Sequence, residues 1–200
     1  MSHPRAHLVD WLRDAHAMER HSEQMLRGQA RRLARYPKLA AGLEQHLDQT
    51  LAQQQTLEQC LERLDASPSG LKDFAGRLGA GVQSLAAMAA DDEPVKAATA
   101  CLAFEHMEVA AYTVLFAAAH QAGDIQCQRM FDQLLREEQA MAAWLREHLP
   151  PLAQAYLARD AAADRGVTTQ SMAAGAAQPP QVPPNPATPD ATGRRRPTAP

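Results

Sequence analysis

The chain has 200 residues, enough for one domain with a sizeable core, and a formal net charge of −3. That balance argues against a nucleic-acid binder or a protein held to an anionic membrane surface; the basic triplet Arg194-Arg195-Arg196 is too small to alter it. Hydrophobic residues make up 46% and aromatics only 4%, which disfavours a β-sandwich and favours packed helices.

The opening residues, MSHPRAHLVDWL, lack the apolar run of a secretory signal. No stretch is expected to approach the roughly 20 apolar residues that span a bilayer. Three cysteines, Cys60, Cys101 and Cys127, show no CxxC spacing and cannot all pair. A reduced cytoplasm fits such a set. Cys60 and Cys101 fall on helical apolar stripes and read as small core residues.

The first helix is expected over residues 6–35, with its stripe at Leu8, Leu12, Ala15, Glu19, Ser22, Leu26 and Leu33. Tyr36-Pro37 should end it, because a residue before proline avoids the helical region. Arg27, Arg31, Arg32 and Arg35 read as a solvated face. The second helix, 38–65, carries Leu39, Leu43, His46, Thr50, Gln53, Leu57, Cys60 or Leu61, and Leu64. So short a connection makes the two helices antiparallel neighbours. The segment Asp65 to Gly70 stops the second helix.

Residues 71–90 form a weaker helical pattern, because Gly76, Gly79 and Gly81 each lower propensity by roughly 1 kcal/mol against alanine. It reads as a crossover helix packed on the bundle. The third helix begins at Asp91-Asp92-Glu93-Pro94, acids before a first-turn proline. It runs to about His120, with Ala98, Cys101, Glu105, Glu108, Tyr112, Leu115 and Ala119 on one face. After a tight turn at Ala122-Gly123-Asp124, the fourth helix covers 125–149, with Phe131, Leu134, Glu138, Met141, Leu145 and His148. Pro150-Pro151 should end it, with a short helical tail through Tyr156. Residues 1–158 thus read as a helical bundle. Residues 159–200 read as a disordered Pro/Ala-rich tail, since eight of the 14 prolines lie between 179 and 200.

Four acids interrupt the apolar stripes: Glu19, Glu105, Glu108 and Glu138. Each lies near the middle of its helix, so in a bundle they meet at one level whichever way the helices run. Buried carboxylates are costly unless paired or bound to a cation. Four of them carry a charge of about −4, which two divalent metals cancel. Oxygen-rich layers suit iron or manganese. A di-metal bundle usually draws one Glu from each of two helices and Glu-x-x-His from each of the others. This chain offers Thr50-x-x-Gln53, Glu105-x-x-Glu108 and Glu138-x-x-Met141 instead, and no histidine at an expected ligand position. His46 is on the right face but about two turns, ~10 Å, from Gln53. By itself such a histidine is more often a hydrogen-bonded core residue; here it would reach a separate site or cap the layer. Gln49 and Gln53 are neutral candidates for weak or second-layer contacts. Tyr112, one turn beyond Glu108, reads as a packed phenol hydrogen-bonded to a carboxylate, the sharper alternative being a redox-active phenol beside a metal. His16, His21, His106 and His120 fall off the stripes and are expected at the surface.

At these residues the chain resembles a known family. The stretches Leu12–Glu19 (LRDAHAME), Glu44–Thr50 (EQHLDQT), Phe104–Tyr112 (FEHMEVAAY) and Leu135–Glu138 (LREE) are similar to the YciE/YciF-type ferritin-like proteins of bacteria. The pattern Glu-His-x-Glu-(Ile/Val)-Ala-x-Tyr is the most specific of them, and the likeness covers roughly residues 8–150. The resemblance implies an all-α, ferritin-like four-helix bundle with an additional crossover helix, commonly a homodimer, with a stress-associated cytoplasmic role and no established reaction. By position it implies that Glu19, Glu105, Glu108 and Glu138 are the metal-site acids. Two positions depart from the family: an acid is frequent where this chain has Gln49, and frequent where it has Ala142. A complete di-iron centre, a single-metal site and a vestigial one all remain open on these residues. The contrasting class is a metal-free helical protein that pairs with a second copy, its acids held by arginine, lysine or shared protons. No arginine or lysine falls on the stripes, which counts against that class.

Overall fold

The computed structural model describes residues 4–68 and 94–176. Four helices are found among them: α1 (Pro4–Arg32), α2 (Pro37–Arg63), α3 (Pro94–Ala122) and α4 (Ile125–Ala176). The expected crossover helix at 71–90 lies outside the described residues. The chain divides into two units, Met1–Ala158 and Arg159–Pro200.

Local chemistry sets the helix ends. Tyr36 is the N-cap of α2 and Pro37 occupies its first position, where the missing N–H leaves no bond unmade. Gly123 takes φ 73° between α3 and α4, a left-handed conformation that favours glycine. Asp124 then caps α4, its Oδ1 accepting the Cys127 N–H at 3.0 Å.

The helix stripes are buried as the spacing predicts, from Leu8, Leu12, Leu26 and Leu33 to Leu39, Leu43, Leu57, Leu61, Leu115, Phe131 and Leu145. These side chains sort into two apolar clusters. One gathers Leu8, Leu12, Met18, Leu57, Phe104, Leu115 and Phe131. The other gathers Leu26, Leu33, Leu39, Leu43, Cys101, Met141, Leu145 and Leu152. Along α1 the first cluster ends at Met18 and the second begins at Leu26. Between them stand the buried polar residues Glu19 and Ser22, level with His46, Thr50 and Gln53 on α2, Glu105 and Glu108 on α3, and Glu138 on α4. Burial of each large apolar side chain contributes roughly 1.5–3 kcal/mol, and this holds the polar layer in place from both sides.

Four features depart from expectation. First, α4 does not stop at Pro150-Pro151; both prolines lie inside it. Two N–H donors are missing there, but Leu152, 3% exposed, packs in the second core cluster and continues the buried face past them. Second, residues 159–176, expected to be disordered, are helical, and the remainder of that tail lies outside the described residues. Alanine is abundant in 158–176, and the run of prolines begins only at 179. Third, His16 is buried rather than on the surface, with Nε2 2.9 Å from Glu58 Oε1. Helix α1 packs against both α2 and α3, so its buried arc is wider than one stripe and takes in His16, Ala17 and Met18. His106 and His120 are exposed, while His21 is half-buried against Phe104, ring centroids 5.7 Å apart.

Fourth, α3 is long and apolar enough to cross a membrane by length and composition, contrary to the expectation that no segment qualifies. The core helix of a helical bundle meets the same measure. Here α3 carries Glu105 and Glu108 at its centre and buries them against the other helices.

Candidate metal centre

The i, i+3 and i, i+4 spacings of a helix set the layer's composition. Glu105, Glu108 and Tyr112 stack on one face of α3; His46, Gln49, Thr50 and Gln53 do so on α2. Glu19 and Ser22 come from α1, and Glu138 from α4. All four glutamates are essentially without solvent contact, at 0% or 1% exposure.

The tightest group is His46, Glu105, Glu108 and Glu138, whose ligand atoms all lie within 4.8 Å of one another. His46 Nε2 is 3.1 Å from Glu105 Oε2 and 3.4 Å from Glu138 Oε2. His46, expected at a separate site or as a cap of the layer, is thus brought within reach of two of its acids. Glu138 spans the two turns between Gln53 and His46, taking a Gln53 N–H on Oε1 at 2.5 Å while Oε2 faces the imidazole. The signal was present in the sequence, since His46 sits on the same stripe as Gln53.

Glu19 stands at the margin of this group. Its Oε1 accepts the Tyr112 hydroxyl at 2.5 Å, which turns one oxygen away from the cluster; Oε2 has no hydrogen-bond partner. Tyr112 is the buried, carboxylate-bonded phenol that its spacing predicts. Gln53 donates to Glu138 and, at 3.0 Å, to Glu137 Oε2. Gln49 ligates nothing: its Oε1 accepts from His46 Nδ1 at 3.0 Å. That bond holds a proton on Nδ1, so that once Nε2 gives up its own proton its lone pair faces the cluster, the arrangement a metal-ligating histidine needs. Ala142, where the family often has an acid, is buried and apolar.

The electrostatics are those of a concentrated negative charge removed from water. Burial pushes Glu108 well above the ordinary carboxylate range, and the charges of Glu19, Glu105 and Glu138 push it further. Burial likewise raises Glu19, with Glu138 adding to it and the Tyr112 hydrogen bond opposing. Glu105 is raised to about 7, mainly by burial, against the favourable pull of His46. Burial disfavours a charged His46, but Glu105 and Glu138 outweigh it and carry the imidazole to about 11. Without a cation the layer therefore holds protons.

A simple test of fit is what the donor atoms do otherwise. Both oxygens of Glu105, both of Glu108, one each of Glu19 and Glu138, and His46 Nε2 are buried with no hydrogen bond of good geometry. Those that also lack the His46 contact, Glu105 Oε1, both oxygens of Glu108 and Glu19 Oε2, cost about 1–3 kcal/mol each. Among the described residues, no lysine or arginine pairs with any of the four acids. Carboxylate oxygens with one imidazole nitrogen form a donor set suited to iron or manganese, so the residues fit one or two divalent cations. Replacing Gln49 with leucine is expected to lower affinity for such an ion about 10–100-fold, because the Nδ1 proton loses its acceptor. Isothermal titration with Mn²⁺ against the unaltered protein measures this.

The fold and the buried histidine–carboxylate cluster define an all-α, ferritin-like helical bundle with a site that could hold metal. The model of the family described as a domain of unknown function, DUF892, matches residues 3–158, and the chain belongs to that family, the YciE/YciF type. A solved protein from Xanthomonas campestris pv. campestris is 34% identical, with a TM-score of 0.68 over 80% of this chain and 99% of that one. The Escherichia coli stress protein YciF is 21% identical, with a TM-score of 0.67 over 77% of this chain and 99% of that one. The bacterioferritin of Desulfovibrio desulfuricans, a protein with a diiron site, shares 20% identity and a TM-score of 0.57 over 80% of this chain and 91% of its own. At those lower identities the likeness is one of fold.

Proposed function

We propose that this protein is a stress-associated, ferritin-like metal protein whose bundle centre binds iron or manganese. The observation that carries this reading is a set of buried donor atoms, six carboxylate oxygens and one imidazole nitrogen, enclosed in a single layer between two apolar clusters, with only His46, among the described residues, beside Glu105 and Glu138 as counter-charge. His46, Glu105 and Glu138 would hold one ion. Glu108 and Glu19 would hold a second, with Tyr112 orienting Glu19. Four carboxylates against two divalent cations leave the layer near neutrality. Bound iron or manganese would supply redox chemistry toward oxygen or peroxide. Gln49, Gln53 and Tyr112 position the side chains around it.

The proposal extends to a cytoplasmic homodimer that binds neither nucleic acid nor membrane. Three buried free cysteines support the compartment. The exposed apolar side chains Trp11 and Val114, which share the lining of one cleft on α1 and α3, support pairing.

Metal analysis of protein purified without chelators tests the reading. About two iron or manganese ions per chain, and a melting temperature that falls on chelation, are expected. Metal-free protein after aerobic supplementation, with an unmoved melting temperature, would favour the contrasting reading of a metal-free helical pairing protein.

A further inference from the structure

An ion bound among residues this deeply buried needs a way in. One of the cluster residues, His46, also lines a cavity of about 200 Å³ at the seam between α2 and α4. Its rim is open, with Gln45 and Ala140 exposed, and its floor is closed by His46 at 1% exposure and Met141 at 7%. Gln49 and Glu137 form its half-buried walls. Trp144 lies across one end. Its six-membered ring packs over Gly42, where a β-carbon would fall 2.2 Å from Cη2. Two other clefts, one around Arg63 and Asp124 and one around Trp11 and Val114, touch none of the cluster residues.

Glu137 is not part of the cluster, yet it is tied to it. The side-chain amide of Gln53 donates to Glu137 Oε2 at 3.0 Å and to Glu138 Oε1 at 2.5 Å. One NH₂ group thus joins a carboxylate that water reaches to one that it does not. The second Glu137 oxygen takes a hydrogen bond from Gln133 on the surface, at 2.7 Å. Beyond this wall, His46 Nε2 faces Glu105 Oε2 at 3.1 Å and Glu138 Oε2 at 3.4 Å.

We infer that the α2/α4 cavity is the access route by which a divalent cation reaches the buried layer, with Glu137 as its first carboxylate ligand. The cation sheds water against the oxygens of Glu137, Gln45 and Gln49. It then passes from Glu137 to Glu138 as the Gln53 amide gives up its hold on both. The inference rests on the metal-binding reading above and deepens it: the route selects small hydrated cations over larger, chelated ones.

The test is the rate at which full-length, metal-stripped protein takes up Co²⁺, followed by its visible absorption in a stopped-flow instrument, with the final Co²⁺ per chain measured separately. Ala140→Arg and Gln45→Arg each place a bulky cation on the exposed rim, where folding should tolerate it. Each is expected to slow uptake at least about tenfold, and Glu137→Gln about threefold, all with an unchanged endpoint. Glu62→Gln, an exposed acid that does not line the cavity, loads at the unaltered rate. If both rim variants fold and load as fast as the parent, the route is overturned while metal binding stands. A lowered endpoint at unchanged rate overturns it as well. Failure of the parent itself to take up Co²⁺ removes the metal reading, and this inference with it.

Discussion

Substituting Glu108 with methionine is expected to raise the stability of the metal-free protein and to remove the part of the metal stabilisation that the second ion confers. Both oxygens of Glu108 are buried without a well-formed hydrogen bond, with the nearby Ser22 hydroxyl favouring their charge, and three other carboxylates face it. Removing such a group relieves an unmet desolvation cost of about 1–3 kcal/mol. For a chain of this size that is a rise of roughly 2–12 °C in melting temperature. Most core substitutions destabilise, so the positive sign is diagnostic. His46→Ala should behave oppositely in the metal-free state. It withdraws the cationic partner of Glu105 and Glu138 and should cost about 3–5 kcal/mol, the usual effect of breaking a buried pair from one side. With Mn²⁺ present, each variant should show a smaller metal-induced shift than the parent. Melting curves of the parent and both variants, with and without Mn²⁺, read all of these outcomes. A Glu108→Met protein that is less stable than a metal-free parent indifferent to Mn²⁺ would mean that the acid is structural.

The second large effect is on pH dependence, where the metal-free and metal-loaded protein should differ in sign. Glu105 titrates near 7 in the folded chain against 4.5 for an ordinary glutamate, and Glu19 and Glu108 are displaced in the same direction. Between those values the folded chain keeps protons that the unfolded chain has released. Stability of the metal-free form therefore falls as pH rises from about 4.5 through about 7. His46, raised to about 11 from 6.5, adds to the fall above neutrality, because its contribution is complete below 6.5 and is lost as pH climbs through 11. Glu23 and Asp124 are displaced downward, chiefly through the Gln54 hydrogen bond for Glu23 and through hydrogen bonds at the start of α4, against burial, for Asp124. Their contributions are lost only as pH drops below the ordinary carboxylate range, outside this window. For Glu105 alone the change is of order 3 kcal/mol. Metal binding needs these acids deprotonated and His46 neutral, so affinity grows as pH rises. Melting temperatures at pH 5, 6, 7 and 8 should fall steadily without metal, while the increment produced by Mn²⁺ should grow. A metal-free melting temperature that climbs from pH 5 to 8 contradicts this account of the buried acids.

The main lines of the fold were legible because period and punctuation agreed. The stripe positions of α1, α2 and α3 are buried almost without exception, and Tyr36-Pro37 and Gly123-Asp124 stand at the junctions expected of them. The depth of Glu19, Glu105, Glu108 and Glu138 followed from the same periodicity, since a residue three or four positions from buried leucines must share their face. What failed was reasoning confined to one element. Proline chemistry favoured an end at Pro150-Pro151, but Leu152 has a place in the core and α4 runs on. The stripe of α1 left out His16, because a helix flanked on two sides buries more than one row.

The amino-acid order by itself determined that helices form, which face of each is apolar, and that acids interrupt those faces at mid-length. Those properties depend on residues only a few positions apart. Tertiary structure alone decided that His46 joins Glu105, Glu108 and Glu138, that Tyr112 draws Glu19 aside, that Gln49 orients an imidazole instead of ligating, and that His46 also lines a cavity at the α2/α4 seam. Each of these depends on the reach of long side chains across helices far apart in the chain. That distance is set by how the helices pack, and periodicity along any one of them does not encode it.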